Sequence, residues 1–191
     1  MVLKVGPLSN ITYPAVSVVP AKFMGSAEFI IDSLLMDSRH MNIREATRED
    51  FDQIWPIFRE ITVAVETYAY PRDITKEQAI KHWIDVPRKT FVFEEAGRIL
   101  GTYYIKTNQA GPGDHVCNCG YMVSSAARER GLATAMCEHS QNLARELGYK
   151  AMQFNFVASS NERAVRLWNK LGFATVGRLP MAFHPSFQGL Y

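Results

Sequence analysis

Strongly biased segments are missing from this sequence. No run of Lys or Arg appears, and the formal charge is only +2 over 191 residues; neither nucleic acid nor an acidic membrane surface is an expected partner. No apolar stretch approaches a membrane span. Pro7, Pro14 and Pro20 interrupt the region where a secretory signal needs an unbroken apolar core. Cysteine is scarce: there are three, an odd number without framework spacing, which argues against a disulfide scaffold and for a reducing, cytoplasmic setting. Cys117 and Cys119 share a strand face, but further ligands at metal-site spacing are lacking, so these two and Cys137 read as small buried hydrophobes and no metal is expected. Internal repeats and low-complexity tracts are also lacking. What is present, 47% hydrophobic and 21% charged residues, is enough for one globular domain with a substantial core.

Residues 1–40 read as an N-terminal extension, with AEFIIDSLLM as a short amphipathic helix; a real extension and a start assigned too far upstream both fit. Met41 looks like the natural beginning of a domain over 41–191. MNIREA is a short alternating strand, and Thr47 with Asp50 predicts a capped helix over 47–62 whose inner stripe is Ile54, Phe58 and Ile61. A second helix over 75–84 turns Ala79, Ile80 and Trp83 inward. TFVFEEA and ILGTYYIKT flank Gly97 as a hairpin, and HVCNCGYMV is the next strand. Leu132, Met136, His139, Leu143 and Leu147 recur at helical spacing until Gly148; strand AMQFNFVAS, helix NERAVRLWNKL and strand FATVGRL follow. A strand, helix and strand in that order make a right-handed crossover, which places a parallel pair at the centre of a mixed sheet with helices on both faces.

Between strand and helix lies VSSAARERGLATA, in which Arg128, Gly131 and Ala133 stand in the order Arg, two residues, Gly, one residue, Ala. Glycine and small residues at a helix start leave backbone N–H groups open to an anion, for which a pyrophosphate is the natural guest. Downstream, Asn161, Ala164, Trp168, Gly172 and Phe173 form a second pattern. Together these resemble the GCN5-related N-acetyltransferases (GNAT) over residues 41–180. The resemblance implies an α/β (α+β) GNAT fold: a mixed central sheet of six to seven strands with a splayed parallel pair, and acetyl-CoA as cosubstrate. It further implies that the backbone of Tyr121, Met122 and Val123 pairs with the pantetheine arm and that an N–H near Tyr121 polarises the thioester carbonyl. Arg128 and the backbone of Arg130, Gly131, Leu132, Ala133 and Thr134 would hold the pyrophosphate, with Asn161 and Trp168 on the other side of the arm. Many members carry Tyr where Trp168 stands, and an indole cannot protonate a leaving thiolate; no general acid is assigned.

A narrower similarity, along GTYYIKTN, HVCNCGYMV, LGYK and FNFVASSN, is to the yeast acetyltransferases that act on proline analogues such as azetidine-2-carboxylate, and to bacterial relatives. Two asparagines within strands are unusual. Asn118 and Asn155 could converge on the cleft and orient an amino acid, Asn118 as a catalytic positioner, or each amide could satisfy backbone at a bulge. Tyr68, in ETYAYP, is expected at the acceptor; Glu66, Tyr68 and His115 are candidates to take the amine proton. The expected acceptor is a small-molecule amine, best read as a free amino acid or proline-like analogue; another amine (antibiotic, polyamine, protein N-terminus) and a catalytically silent acyl-CoA-binding module remain alternatives. The family ends on one more strand than HPSFQGLY provides, so either the chain continues or the fold is completed otherwise, a homodimer through that sheet edge being one route.

Overall fold

The structure, a computed structural model, describes residues 2–7 and 41–183, the backbone alone for 2–7 and Met41. Seven strands form one sheet: β1 (Val2–Pro7), β2 (Met41–Glu45), β3 (Lys89–Glu95), β4 (Arg98–Thr107), β5 (Val116–Val123), β6 (Ala151–Val157) and β7 (Ala174–Arg178). Their order in space is β2-β3-β4-β5-β6-β1-β7, antiparallel throughout except for β5 beside β6. The parallel pair is joined by a helical crossover, as the sequence predicts.

Helices cover both faces. On one lie α1 (Phe51–Ala64) and the short α2 (Lys76–Ile80), which continues as a π turn over Lys81–Asp85. Phe51, Ile54, Phe58 and Trp83 from these elements pack on Val92, Tyr104 and Met122 of the sheet. On the other face α3 (Leu132–Glu146) packs Leu132 and Met136 against Phe91 and Tyr103, and α4 (Glu162–Lys170) packs Trp168 against Phe154. Among the described residues no helix is long and apolar enough to cross a membrane.

Local sequence explains most of the boundaries. Thr75 caps α2 through a reciprocal pair with Gln78, and the β3–β4 turn has left-handed Ala96 (φ 49) and Gly97 (φ 77), the conformation that matches strand twist. Two expectations need correction. Helix α1 starts at Phe51, not Thr47: Asp50 accepts from the Thr47 N–H at 2.7 Å, one half of the expected capping pair, and is clasped by Arg44 at 2.7 Å, but the chain after Thr47 first makes tight turns, Phe51 N–H to Arg48 C=O and Asp52 N–H to Glu49 C=O, both 3.2 Å, before the α-helix begins. The buried side of α3 is Leu132, Met136, Cys137, Ser140 and Ala144, while His139 and Leu143 are only half-buried. A helix sandwiched beside aromatic strands buries small residues where the strand side chains are large.

Val2–Pro7, which the sequence places outside the domain, lies inside the sheet. Val5 is opposite Gln153 of β6 on one side and Ala174 of β7 on the other. The C-terminal half of the sheet is thus completed from within the chain, by its own first strand. AEFIIDSLLM and HPSFQGLY fall outside the described residues.

Candidate active site

The site originates in unequal strand pairing. Along β5, seven residues from Cys117 to Val123 are opposite β4, but β6 is paired only at Val116↔Ala151 and Cys117↔Met152. Beyond Cys117 the parallel strands part. The bonds Asn108 N–H to Val116 C=O (2.8 Å) and Ser124 N–H to Leu100 C=O (2.9 Å) fix the phase of the β4 ladder: even-numbered β5 residues exchange bonds with β4. The N–H and C=O groups of Cys119, Tyr121 and Val123 therefore point toward β6, into the opening. A cleft of about 1200 Å³ runs along it.

One end of the cleft is closed by the start of α3. Glu129 (φ 65) and Gly131 (φ 79) are left-handed, and the first helical bond runs from the Ala135 N–H to the Gly131 C=O at 3.0 Å. The N–H groups ahead of it have no intrahelical acceptor, and Gly131, Leu132, Ala133 and Thr134 line the cleft. Glu60 of α1 holds this loop from behind, accepting from the Ser125 hydroxyl (3.1 Å) and pairing with Arg128 (3.3 Å). Arg130 turns away to Glu95 of β3 at 2.7 Å.

The other end is built from side chains. The Asn118 amide, 6% exposed, donates to the Gln153 C=O at 2.8 Å and accepts from the Tyr104 hydroxyl at 3.0 Å. It thereby bridges β5 to β6 at the first residue where the backbone ladder fails. Gln153 donates to Asn155 (2.9 Å), and Asn155 to Asn108 (2.8 Å), so a chain of amides crosses the opening. Tyr68 donates to the Tyr121 C=O at 2.9 Å. A Cβ on Gly120 would lie 2.5 Å from the Tyr104 ring and 3.0 Å from the Tyr68 hydroxyl, so only glycine admits both rings here. Burial pushes the Tyr68 phenol well above its ordinary value and that of Tyr70 up to about 12. Both stay protonated near neutral pH, which makes Tyr68 a hydrogen-bond donor and removes it from the candidate bases.

Of the residues singled out from sequence, Tyr68, Asn118, Tyr121, Val123, Arg128, Asn155, Asn161 and Trp168 line the cleft together with Gly131 to Thr134. Met122 and Arg130 do not: Met122 packs into the core under α1, and the Arg130 guanidinium is held by Glu95. What was expected of both concerned their backbone. Asn118 and Asn155 do not touch each other; Gln153 stands between them. The Asn161 side-chain oxygen Oδ1 caps α4 by accepting from the Ala164 N–H at 3.1 Å. The Tyr121 hydroxyl bonds Ser140 at 2.7 Å, and its ring lies 5.2 Å from the Trp168 ring, so Trp168 is a wall of the cleft, 8% exposed. His115 is exposed and off the cleft; Glu66 is on it. Glu60, Tyr104, Lys106 and Gln153 were missed. Period-two spacing from Asn118's strand partner Lys106 to Tyr104, and from Asn155 to Gln153, is the signal that could have found the last three.

Residues 45–173 match the model of the acetyltransferase (GNAT) family. A GCN5-related N-acetyltransferase from Kribbella flavida is 41% identical, with 78% of this chain and 91% of that chain covered at a TM-score of 0.73. The N-acetyltransferase aca1 of Schizosaccharomyces pombe is 35% identical over 79 residues, which is 41% of this chain; the chain spans 38% of the length of that curated relative. A phosphinothricin acetyltransferase from Sinorhizobium meliloti, solved in complex with acetyl-CoA, shares the fold at 20% identity and TM-score 0.59, with 69% of this chain and 74% of that chain covered.

Proposed function

The chain belongs to the GNAT acetyltransferase family, and from that premise we propose that it is an acetyl-CoA-dependent N-acetyltransferase for a small amine, best read as a free amino acid or proline-like analogue. The observation that carries this reading is the opening between β5 and β6, with the Tyr121 N–H and the Val123 backbone facing it along one wall and the start of α3 at one end. Its donors suit a ligand that has amides along its length and phosphates at one end. Acetyl-CoA, when bound, supplies the activated acyl group.

The chain's own groups then have separable tasks. Backbone N–H groups of Gly131 to Thr134 neutralise phosphate charge, and those of Tyr121 and Val123 fix the arm. We assign the Tyr121 N–H, which points into the opening, to polarise the acyl carbonyl. Asn118 acts as a positioning residue, holding β6 at a set distance from β5 and fixing the Tyr104 ring that abuts Gly120. The acceptor must arrive with a free lone pair, and Glu66 on the cleft, directly or through water, is the group we assign to take its proton. Three buried free thiols suit a cytoplasmic setting.

Thiol release from acetyl-CoA, measured with azetidine-2-carboxylate, other cyclic and common amino acids and polyamines, tests the proposal. Turnover with the amino acids is expected. If no amine gives turnover while acetyl-CoA still raises Tm by linkage, the chain is a binding module, the second reading, which Trp168 in place of a proton-donating tyrosine favours.

A further inference from the structure

The cations around the cleft divide into two kinds. Arg128, Arg163 and Arg166 each have an acid of this chain within ion-pair distance: Glu60 at 3.3 Å, Glu129 at 3.1 Å and Glu162 at 2.9 Å. Lys106 has none among the described residues. Its ammonium instead sits 5.3 Å from the centre of the Tyr104 ring.

Strand register decides where that charge is delivered. Lys106 is opposite Asn118 in the β4–β5 ladder, and cross-strand partners share a face. Tyr104, two residues earlier, is on the same face, opposite Gly120, and its ring stands directly over that glycine. An ammonium held against the ring is therefore directed along β4 toward Gly120 and Tyr121, whose N–H faces the opening. Apart from Glu66, the carboxylate assigned to the amine proton, the groups at this end are neutral: the Tyr68, Tyr70 and Tyr104 phenols are protonated, and Asn118 and Asn155 are amides. A half-buried cation beside neutral donors, with no acid of the described residues within ion-pair distance, favours an anionic guest, and Glu66 is left for the guest's ammonium.

We propose that Lys106 anchors the carboxylate of the acceptor, so that the substrate class is an α-amino or α-imino carboxylate rather than a simple amine. This rests on the acetyl-transfer reading of the same cleft. In an α-amino acid the carboxylate is attached to the carbon that bears the nitrogen, so fixing one at Lys106 fixes the nitrogen near the Tyr121 end, and the neutral amides tolerate ring or chain alike. Specificity then resides in charge at one atom and in shape elsewhere.

The test compares azetidine-2-carboxylate with azetidine, and each common amino acid with its decarboxylated amine, in wild type, Lys106→Gln and Lys106→Arg, with the acetyl-CoA-induced rise in Tm reporting that each variant is folded. The expected result is a wild-type preference for the carboxylate that falls by about 10- to 100-fold in kcat/KM in Lys106→Gln, through KM, the loss of one charge-assisted hydrogen bond, and is largely restored in Lys106→Arg. A preference that survives in Lys106→Gln, or a wild type indifferent to the carboxylate, overturns the proposal. Calorimetric binding of azetidine-2-carboxylate in the presence of CoA needs no turnover: if no amine is acetylated yet the ligand binds wild type and not Lys106→Gln, the transfer reading fails and the anchor stands. Equal binding by both, or by neither, overturns the anchor.

Discussion

At the α3 end the cleft presents backbone, the N–H groups of Gly131 to Thr134, whereas at the Lys106 end it presents side chains drawn from the α1–α2 connection, β4, β5 and β6. The first end needs only a chain path: left-handed Glu129 and Gly131, then a helix. The second needs particular atoms, because Tyr104, Asn118 and Gln153 are bonded in series and Tyr68 reaches across to the Tyr121 carbonyl. A backbone site tolerates exchange of most of its side chains, while a bonded series fails as a unit. Substitutions at the Lys106 end should therefore disturb acceptor turnover, and substitutions at the α3 end should disturb only the cofactor, and weakly.

The largest effect is expected for Gly120→Ala. The new methyl group meets the Tyr104 ring at 2.5 Å and the Tyr68 hydroxyl at 3.0 Å. Both rings must move, with a cost of about 1–3 kcal/mol from overpacking and a loss in kcat of about 100-fold from displacement of the reacting groups. Steady-state kinetics and a melting curve check both; near-normal kcat would mean that the rings play no part in positioning.

Asn118→Leu comes next. Leucine keeps the volume but leaves the Tyr104 hydroxyl and the Gln153 carbonyl without this partner, which costs about 1–3 kcal/mol and lowers Tm by about 2–10 °C. Turnover should fall with the melting temperature. A turnover loss with Tm unchanged would show that the amide meets the acceptor directly and does not hold the strands.

At the α3 end Gly131→Ala has open space around its Cβ, so its cost is the left-handed backbone alone, about 1 kcal/mol. We expect a Tm lower by about 2–4 °C and a higher KM for acetyl-CoA, with the KM for the acceptor unchanged. A raised acceptor KM would break the division between the two ends. The smallest effect belongs to Thr134→Ala, which keeps the N–H; a change in acetyl-CoA KM of more than about 2-fold would mean that the hydroxyl, and not the backbone dipole, carries the contact.

How far each end could be read from sequence follows the same division. The Arg128, Gly131, Ala133 pattern is local: residues a few positions apart dictate a turn and a helix start, and the structure has both there. The turn at Gly97 and the end of α3 before Gly148 are legible for the same reason. Asn118 was noticed as an oddity, yet its partner Gln153 is 35 residues away and lies beside it only because a parallel crossover intervenes. Glu60, which pins the loop from 68 residues upstream of Arg128, gives no local signal at all. Thr47 pointed to a start four residues early, because its bond to Asp50 forms while the residues between make tight turns instead of α-helix.

Family, element order and the glycine-led start of α3 were determined by the sequence itself, because each is encoded within a few residues of chain. Three features were decided by tertiary structure: the place of Val2–Pro7 between β6 and β7, the role of Asn118 as a bridge where the two central strands part, and the seat of the Lys106 ammonium on the Tyr104 ring. Each depends on which strands become neighbours, and that is settled only when the whole sheet buries its faces under the helices.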